Sequence, residues 1–162
     1  MRSFAASSLV LALALSLPGI ALAKPSVTLK LTGSIVTTAA DGHTILTPVE
    51  GTELKPGDLI RWDVVERNGG DSAAMRLVTV EKIQPGTIYV DGSAGTPKAH
   101  AEFSLDGGKT WSASPTVTVK DAYGKPVVKK ADPSLYTAIR FVADGALSPQ
   151  ATVAYAYEVR IK

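Results

Sequence analysis

The sequence predicts an all-β protein, an antiparallel β-sandwich of about seven to nine strands. One observation is that short segments of alternating polar and apolar residues recur along the chain after residue 23, as in half-buried strands. The other is that Pro, Gly, Asn and Asp cluster between these segments, while no segment of useful length has helical periodicity. A small β-barrel is the alternative, because strand number alone does not decide whether a sheet closes.

Eight segments carry the strand pattern. In the first, Val27, Leu29 and Leu31 alternate with polar residues and predict one buried side. In the last, the residues from Val153 to Ile161 alternate in the same way, and their tyrosines are expected to fill the core together with Trp62. The predicted strands are 26–36, 59–67, 75–83, 87–91, 99–105, 116–119, 135–143 and 151–161.

The N-terminus predicts a cleaved secretory signal. Arg2 precedes the apolar run Leu9–Leu17, which is too short to span a bilayer. Ala21–Ala23 forms an A-x-A cleavage site. We therefore expect residues 1–23 to be removed and residues 24–162 to form one exported domain, periplasmic or extracellular, with no stable membrane insertion.

Composition excludes several functional classes. The chain has no cysteine, so it has no disulfide, thiolate metal site or thiol nucleophile. Without the predicted signal, 16 basic residues face 15 acidic ones, so no charge pattern indicates nucleic-acid binding. An exported domain without disulfides suits a bacterial cell envelope.

Three segments carry a resemblance to a known family. They are 55–71 (KPGDLIRWDVVERNGGD), 89–94 (YVDGSA) and 103–111 (FSLDGGKTW). In order and spacing they resemble the bacterial "domain of unknown function eleven" repeat family over most of residues 50–162. The resemblance implies an immunoglobulin-like β-sandwich of secreted or surface proteins, usually in tandem arrays, to which no catalysis is attributed.

The chain departs from that family's pattern in three ways. We expect a single domain in place of a tandem array, the usual L-P-x-G turn is replaced by 83–86 (IQPG), and Glu66 stands where an apolar residue is expected. A carboxylate facing inward would be costly unless paired, and so could mark a site. Because the predicted strand ends near Asn68, we expect Glu66 to reach solvent at the rim of the sandwich.

The stretch SLDGGKTW matches the Asp-box pattern S-x-D-x-G-x-T-W, a hairpin element of sialidase propellers. The chain has no internal repeat from which propeller blades could be built. The residue types also suit a purely structural turn, in which the carboxylate accepts backbone N–H groups, glycine supplies positive φ and tryptophan anchors the hairpin. The predicted structural-turn residues are Ser104, Asp106, Gly108, Thr110 and Trp111.

Other candidate chemistry has weaker sequence support. His43 and His100 are the only histidines, and no G-x-S-x-G element accompanies them. Asn68 is the only asparagine, and its Asn-Gly context indicates a turn rather than an isopeptide crosslink. Trp62 and Trp111 could form a sugar-stacking platform with the tyrosines of the last strand. The loop carboxylates could bind calcium, although no EF-hand-type run is present; they are Asp91, Asp106, Asp121 and Asp132.

These observations predict a non-catalytic structural or protein-interaction module of the bacterial cell envelope. Its expected partner is an envelope protein bound through an edge strand, with no cofactor and no nucleic acid. The alternative is a carbohydrate- or calcium-binding sandwich that uses the loops around Asp91 and Asp106. A minor hydrolase is the third hypothesis.

Overall fold

The computed structural model describes residues 23–162, and the predicted signal, apart from residue 23, lies outside the described residues. Over this range the chain forms antiparallel strands, with a single 3-10 turn at Pro133–Leu135. The strands are β1 (Val27–Thr38), β2 (Thr44–Pro48), β3 (Leu59–Asn68), β4 (Val78–Lys82), β5 (Thr87–Tyr89), β6 (Ala99–Ser104), β7 (Thr116–Lys120), β8 (Pro126–Lys130), β9 (Ala138–Ala143) and β10 (Thr152–Ile161).

Two sheets form the layers of the sandwich. One has the order β2-β1-β3-β10-β5 and the other β4-β9-β6, while β7 and β8 make a separate hairpin. None of the sheets formed by the described residues closes on itself. The predicted all-β sandwich is therefore confirmed, and the barrel alternative is wrong.

The core lies between the inner faces of the two sheets. Phe141 of β9 stacks on Tyr155 of β10 with ring centroids 4.9 Å apart, and Phe103 of β6 lies 4.8 Å from Tyr89 of β5. The predicted inward face of the last strand is confirmed for Tyr155 and Tyr157, which are both buried. Trp62 is half-buried and packs at the edge of the same cluster.

Two strands, β2 and β8, were not predicted. Every residue of both is exposed, so neither shows the alternation of burial that a sequence pattern reveals. The predicted strand 75–83 is shortened to β4, since Arg76 takes a positive φ of 56° that interrupts extended backbone. The predicted strand 135–143 begins only at Ala138, after the 3-10 turn that Asp132 caps.

The structure also has no helix, within residues 23–162, that is long and apolar enough to cross a membrane.

Candidate partner-binding groove

The inner face of β1 is left uncovered along its first five residues. Leu29 lies opposite Glu66, and Leu31 lies opposite Val64, in the pairing of β1 with β3. Directly paired residues point to the same side of a sheet, so both leucines face the interior with these buried partners. Val27, Leu29 and Leu31 are nevertheless 38%, 49% and 42% exposed. The prediction of a buried side is therefore wrong for these three residues, although Gly33 and Ile35 farther along the same side are buried.

The reason is that the second sheet is narrower than the first. Thr79 of β4 contacts Glu66 of β3, and Phe141 of β9 lies over Tyr155 of β10, so β4 covers β3. Among the described residues no strand continues this sheet past β4, where it would cover β1. We call the space between the exposed side chains of Val27, Leu29 and Leu31 and the free edge of β4 the open groove.

The edge of β4 that borders the open groove offers unpaired backbone groups. Just beyond its ends, Ala143 donates its N–H to the Leu77 carbonyl and Ile83 donates its N–H to the Thr137 carbonyl. Hydrogen-bonded pairs alternate along an antiparallel ladder, so the odd-numbered residues of β4 bond to β9. The N–H groups that point away from β9 are those of Val78, Val80 and Lys82.

Four other edge strands, β2, β5, β6 and β8, are short, bridged or bounded by proline, and β4 contains no proline or bridge of this kind. Pro48 ends β2 and Pro126 begins β8, so neither position can donate a hydrogen bond. β5 has only three residues, and β6 is bridged to Ser112 through Phe103. β4 carries charged side chains at Glu81 and Lys82, but it has no proline, and none of the described strands covers its outer edge. Its outward N–H groups therefore remain available beside an uncovered apolar face, as strand addition requires.

Glu66 is buried and does not lie at the rim. The rim interpretation is wrong because β3 continues to Asn68 and is paired on both sides, with Leu29 in β1 and Val153 in β10 opposite the glutamate. Its side chain is 4% exposed. One carboxylate oxygen accepts a hydrogen bond from the Thr79 hydroxyl, and the other accepts one from the Tyr155 hydroxyl at 3.1 Å. Burial, followed by the charge of Glu66, raises the pKa of Tyr155.

A second carboxylate, Glu81, lies on the inner face of β4 next to this cluster. Its register partner is the buried Ile139, so its side chain is on the inner side of the sheet. Burial, followed by the charge of Glu66, raises its pKa above the ordinary 4.5. The charge of Glu81 also contributes, after burial, to the raised pKa of Tyr157. Within residues 23–162, none of the ion pairs includes Glu66 or Glu81.

The raised pKa of Glu81 predicts that its negative charge lowers the free energy of unfolding in a pH-dependent way. A carboxyl whose pKa is higher in the folded state than in the unfolded state stabilises the fold only when it is protonated. This stabilisation is lost as pH rises through the folded-state pKa. Glu81→Gln should therefore raise the free energy of unfolding by about 0.5 kcal/mol at pH 7, a modest value because Glu81 is only half-buried. The gain should vanish below pH 4.5, the ordinary value. Urea unfolding at several pH values checks this, and a gain independent of pH would contradict it.

The side chain of Asn68 connects three backbone segments, a role that was not predicted from the sequence. It is fully buried, and its Nδ2 donates to the carbonyls of Ser72, Leu147 and Ser148 at 2.8, 2.9 and 3.3 Å. Its Oδ1 accepts from the backbone N–H groups of Ser26 and Gly70, each at 3.1 Å. The side chain thus ties together the start of β1, the turn after β3 and the loop before β10. Its position as the only asparagine, within NGGD, was the available signal.

The Asp-box residues form a compact turn. Asp106 accepts hydrogen bonds from the backbone N–H groups of Lys109 and Thr110 at 3.0 and 2.9 Å, and from the hydroxyls of Thr110 and Ser104 at 2.6 and 2.7 Å. The Thr110 hydroxyl is the largest cause of the lowered pKa of Asp106. Gly108 has a φ of 94°, and a Cβ there would lie 3.3 Å from the Trp111 ring. Every oxygen of the carboxylate is used within the turn.

Asp106→Asn should accordingly lower the melting temperature by a few degrees at pH 7, because the charge-assisted bonds of the turn are weakened. Because the pKa of Asp106 is lowered in the folded state, its carboxylate stabilises the fold at pH values above the unfolded-state pKa of 3.8. This stabilisation is lost as the pH falls through the folded-state pKa. The difference between the two proteins should therefore shrink in acid. Lys109→Ala is the control, since Lys109 contributes only its backbone N–H to the turn. An equal fall in melting temperature in both variants would show that the Asp106 carboxylate does not hold this turn together.

The residues considered for catalysis, sugar binding or calcium binding lie apart or have other contacts. His43 is in the β1–β2 turn and His100 is in β6, where it lies 2.9 Å from Asp144. One face of Trp111 is covered by the guanidinium of Arg140, 4.8 Å from the ring centroid.

The loop aspartates considered for calcium are similarly occupied. Asp91 pairs with Lys130 at 2.6 Å, while Asp121 and Asp132 accept backbone N–H groups of their own turns. Among the described residues, no group of three or more His, Cys, Asp or Glu is placed to hold a metal ion.

Comparison with protein-family models, with curated proteins and with solved structures finds no match for this chain. The resemblance to the "domain of unknown function eleven" family therefore stays a prediction.

Proposed function

We propose that the chain is a non-catalytic, exported protein-interaction module of the bacterial cell envelope that binds an extended segment of a partner protein in the open groove. The observation that carries the proposal is the uncovered apolar inner face of β1 beside the free edge of β4. A bound segment would add a fourth strand to the sheet of β4, β9 and β6 and would lie over β1.

Both kinds of interaction used in strand addition are present. The outward N–H groups of Val78, Val80 and Lys82, with the carbonyls beside them, supply main-chain hydrogen bonds that do not depend on sequence. Alternate side chains of the segment would point down onto Val27, Leu29 and Leu31. Covering the exposed half of these three side chains contributes about 2–4 kcal/mol before the cost of ordering the segment.

The shape of the groove favours a single segment over a second copy of the sandwich. The five-stranded sheet extends past β4 by the two strands β1 and β2. If two copies paired through their β4 edges, the overhanging strands of both would need the same space. A lone strand needs only about 4.8 Å beside β4 and fits above β1.

Export is part of the proposal, and one contact is compatible with it. The backbone nitrogen of Lys24, the first residue after the predicted cleavage point, donates to Asp71 Oδ1 at 2.6 Å. A free α-ammonium at that position would make the same contact as an ion pair. N-terminal sequencing of the protein recovered from the periplasm or the medium tests the cleavage point.

Binding is tested by panning a library of random peptides, displayed on phage, against the chain that begins at Lys24. We expect enrichment of peptides with alternating apolar residues, and we expect Val80→Pro to abolish their binding. Proline at position 80 removes an N–H that points into the groove and leaves the bonds to β9 in place.

Val128→Pro is the matched control for that experiment. Residue 128 is also an exposed valine in an edge strand, and the hydrogen bonds at Pro115–Ala131 and Asp121–Lys125 place its N–H away from β7. This variant should bind like the parent. Failure to enrich any peptide family, or equal binding by both proline variants, would overturn the proposed function.

A further inference from the structure

We infer that the segment captured in the open groove carries a lysine or arginine that pairs with Glu81, flanked two residues away by apolar side chains. The inference rests on the proposed function and names the chemistry of the partner. It comes from the placement of Glu66 and Glu81 and from the directions in which the chain's own cations point.

Two inward-facing carboxylates, Glu66 and Glu81, lie next to the open groove, and neither belongs to an ion pair within residues 23–162. Glu66 uses its two oxygens on the hydroxyls of Thr79 and Tyr155, which are neutral donors. Glu81, two residues beyond Thr79 on the same face, has Glu66 as a charged neighbour. Two neighbouring carboxylates repel each other, and a cation placed between them and solvent would offset that repulsion.

The basic residues of β4, of β9 and of the first half of β1 are on the outer faces of their sheets. Lys82 and Arg140 belong to the outer face of the sheet that contains β4, because Val80, the partner of Arg140, alternates with the inward Thr79 and Glu81. Lys30 belongs to the outer face of the other sheet, between the inward Leu29 and Leu31. These strands therefore direct no cation toward Glu81, and in the proposed complex the bound segment supplies it.

Strand geometry defines where that cation stands. In a strand added to β4, the residue directly opposite Glu81 has its Cβ about 5 Å from that of the glutamate and points to the same inner side. The residues two positions away on the segment also point inward, where one of them lies opposite Thr79 and above Leu29. An apolar or acidic residue opposite Glu81 would leave the carboxylate of Glu81 buried without a partner, and the peptide would bind more weakly.

The inference predicts a preference that can be measured with synthetic peptides. Take the tightest alternating peptide from the library and prepare three forms, with lysine, glutamine or glutamate at the inward position opposite Glu81. Fluorescence anisotropy should give about tenfold tighter binding for lysine than for glutamine, and weaker binding again for glutamate. Glu81→Gln should remove the preference for lysine, and Glu81→Lys should reverse it toward glutamate.

The matched control is Glu158→Gln, the same substitution on the outer face of β10 opposite Arg61, which should leave the three affinities unchanged. Equal binding of the lysine and glutamine peptides, still lost in Val80→Pro, would overturn this inference and leave the proposed function in place. A lysine preference that persists in Glu81→Gln would overturn it too. If none of the peptides binds, the proposed function fails and the inference fails with it.

Discussion

Replacing Asn68 by alanine is expected to lower the free energy of unfolding by about 3 kcal/mol. The amide makes five hydrogen bonds to backbone groups of three separate segments, and the side chain is fully buried. Alanine would leave two N–H groups without an acceptor and three carbonyls without this donor. The loss exceeds that of one hydrogen bond because buried unpaired groups carry a desolvation cost.

The measurement is urea unfolding followed by circular dichroism, with Asn68→Asp as the informative second variant. Aspartate retains an oxygen for Ser26 and Gly70 but has no N–H to donate to Leu147. We therefore expect Asn68→Asp to be at least as destabilised as Asn68→Ala at pH 7 and to recover in acid, where a protonated carboxyl can donate. A loss below about 1 kcal/mol in both variants would show that Asn68 does not hold these segments together.

Replacing Gly70 by alanine is expected to be comparably damaging, by about 2–4 kcal/mol. A Cβ on Gly70 would lie 2.3 Å from the Lys24 carbonyl oxygen and 2.6 Å from the Ser26 nitrogen. These are backbone atoms that cannot rotate away, so the segment before β1 must be displaced. Its bonds to Gly69 and Asp71 would then be lost.

Gly69→Ala provides the matched control, in the same turn and one residue away. A Cβ there would meet only the Ser26 carbonyl oxygen, at 3.8 Å, which is an ordinary contact. The free energy of unfolding of Gly69→Ala should stay within about 1 kcal/mol of the parent. Similar losses at both glycines would point to backbone flexibility, and not to the close approach of Lys24 and Ser26, as the cause.

The sandwich could be predicted because its central strands show their burial in the sequence. In β10 the alternation of Val153, Tyr155, Tyr157 and Val159 with smaller or polar residues corresponds to the buried side of the strand. In β2 and β8 no side is buried, so hydrogen bonding alone defines them and no pattern of residues marks them. Local alternation reports which side of a strand is apolar, and it reports nothing of strands that have no buried side.

The groove could not be predicted, because it depends on the relative widths of two sheets. Leu29 and Leu31 have the pattern of buried residues, and only the absence of a described strand opposite β1 leaves them exposed. The burial of Glu66 was not predicted either, because it results from contacts with Thr79 of β4 and Tyr155 of β10. Asn68 and Glu81 likewise acquire their surroundings from other strands. These are non-local contacts, which no short segment of sequence records.

The most direct test of the strand-binding account is amide hydrogen exchange of β4, measured by NMR with and without the tightest peptide from the library. The account predicts that the amides of Val78, Val80 and Lys82 exchange freely in the unbound protein and become protected on binding. The amides of Thr79 and Glu81, bonded to β9, should be protected in both states. Protection gained at another edge or in the loops, with these three amides unchanged, would contradict it.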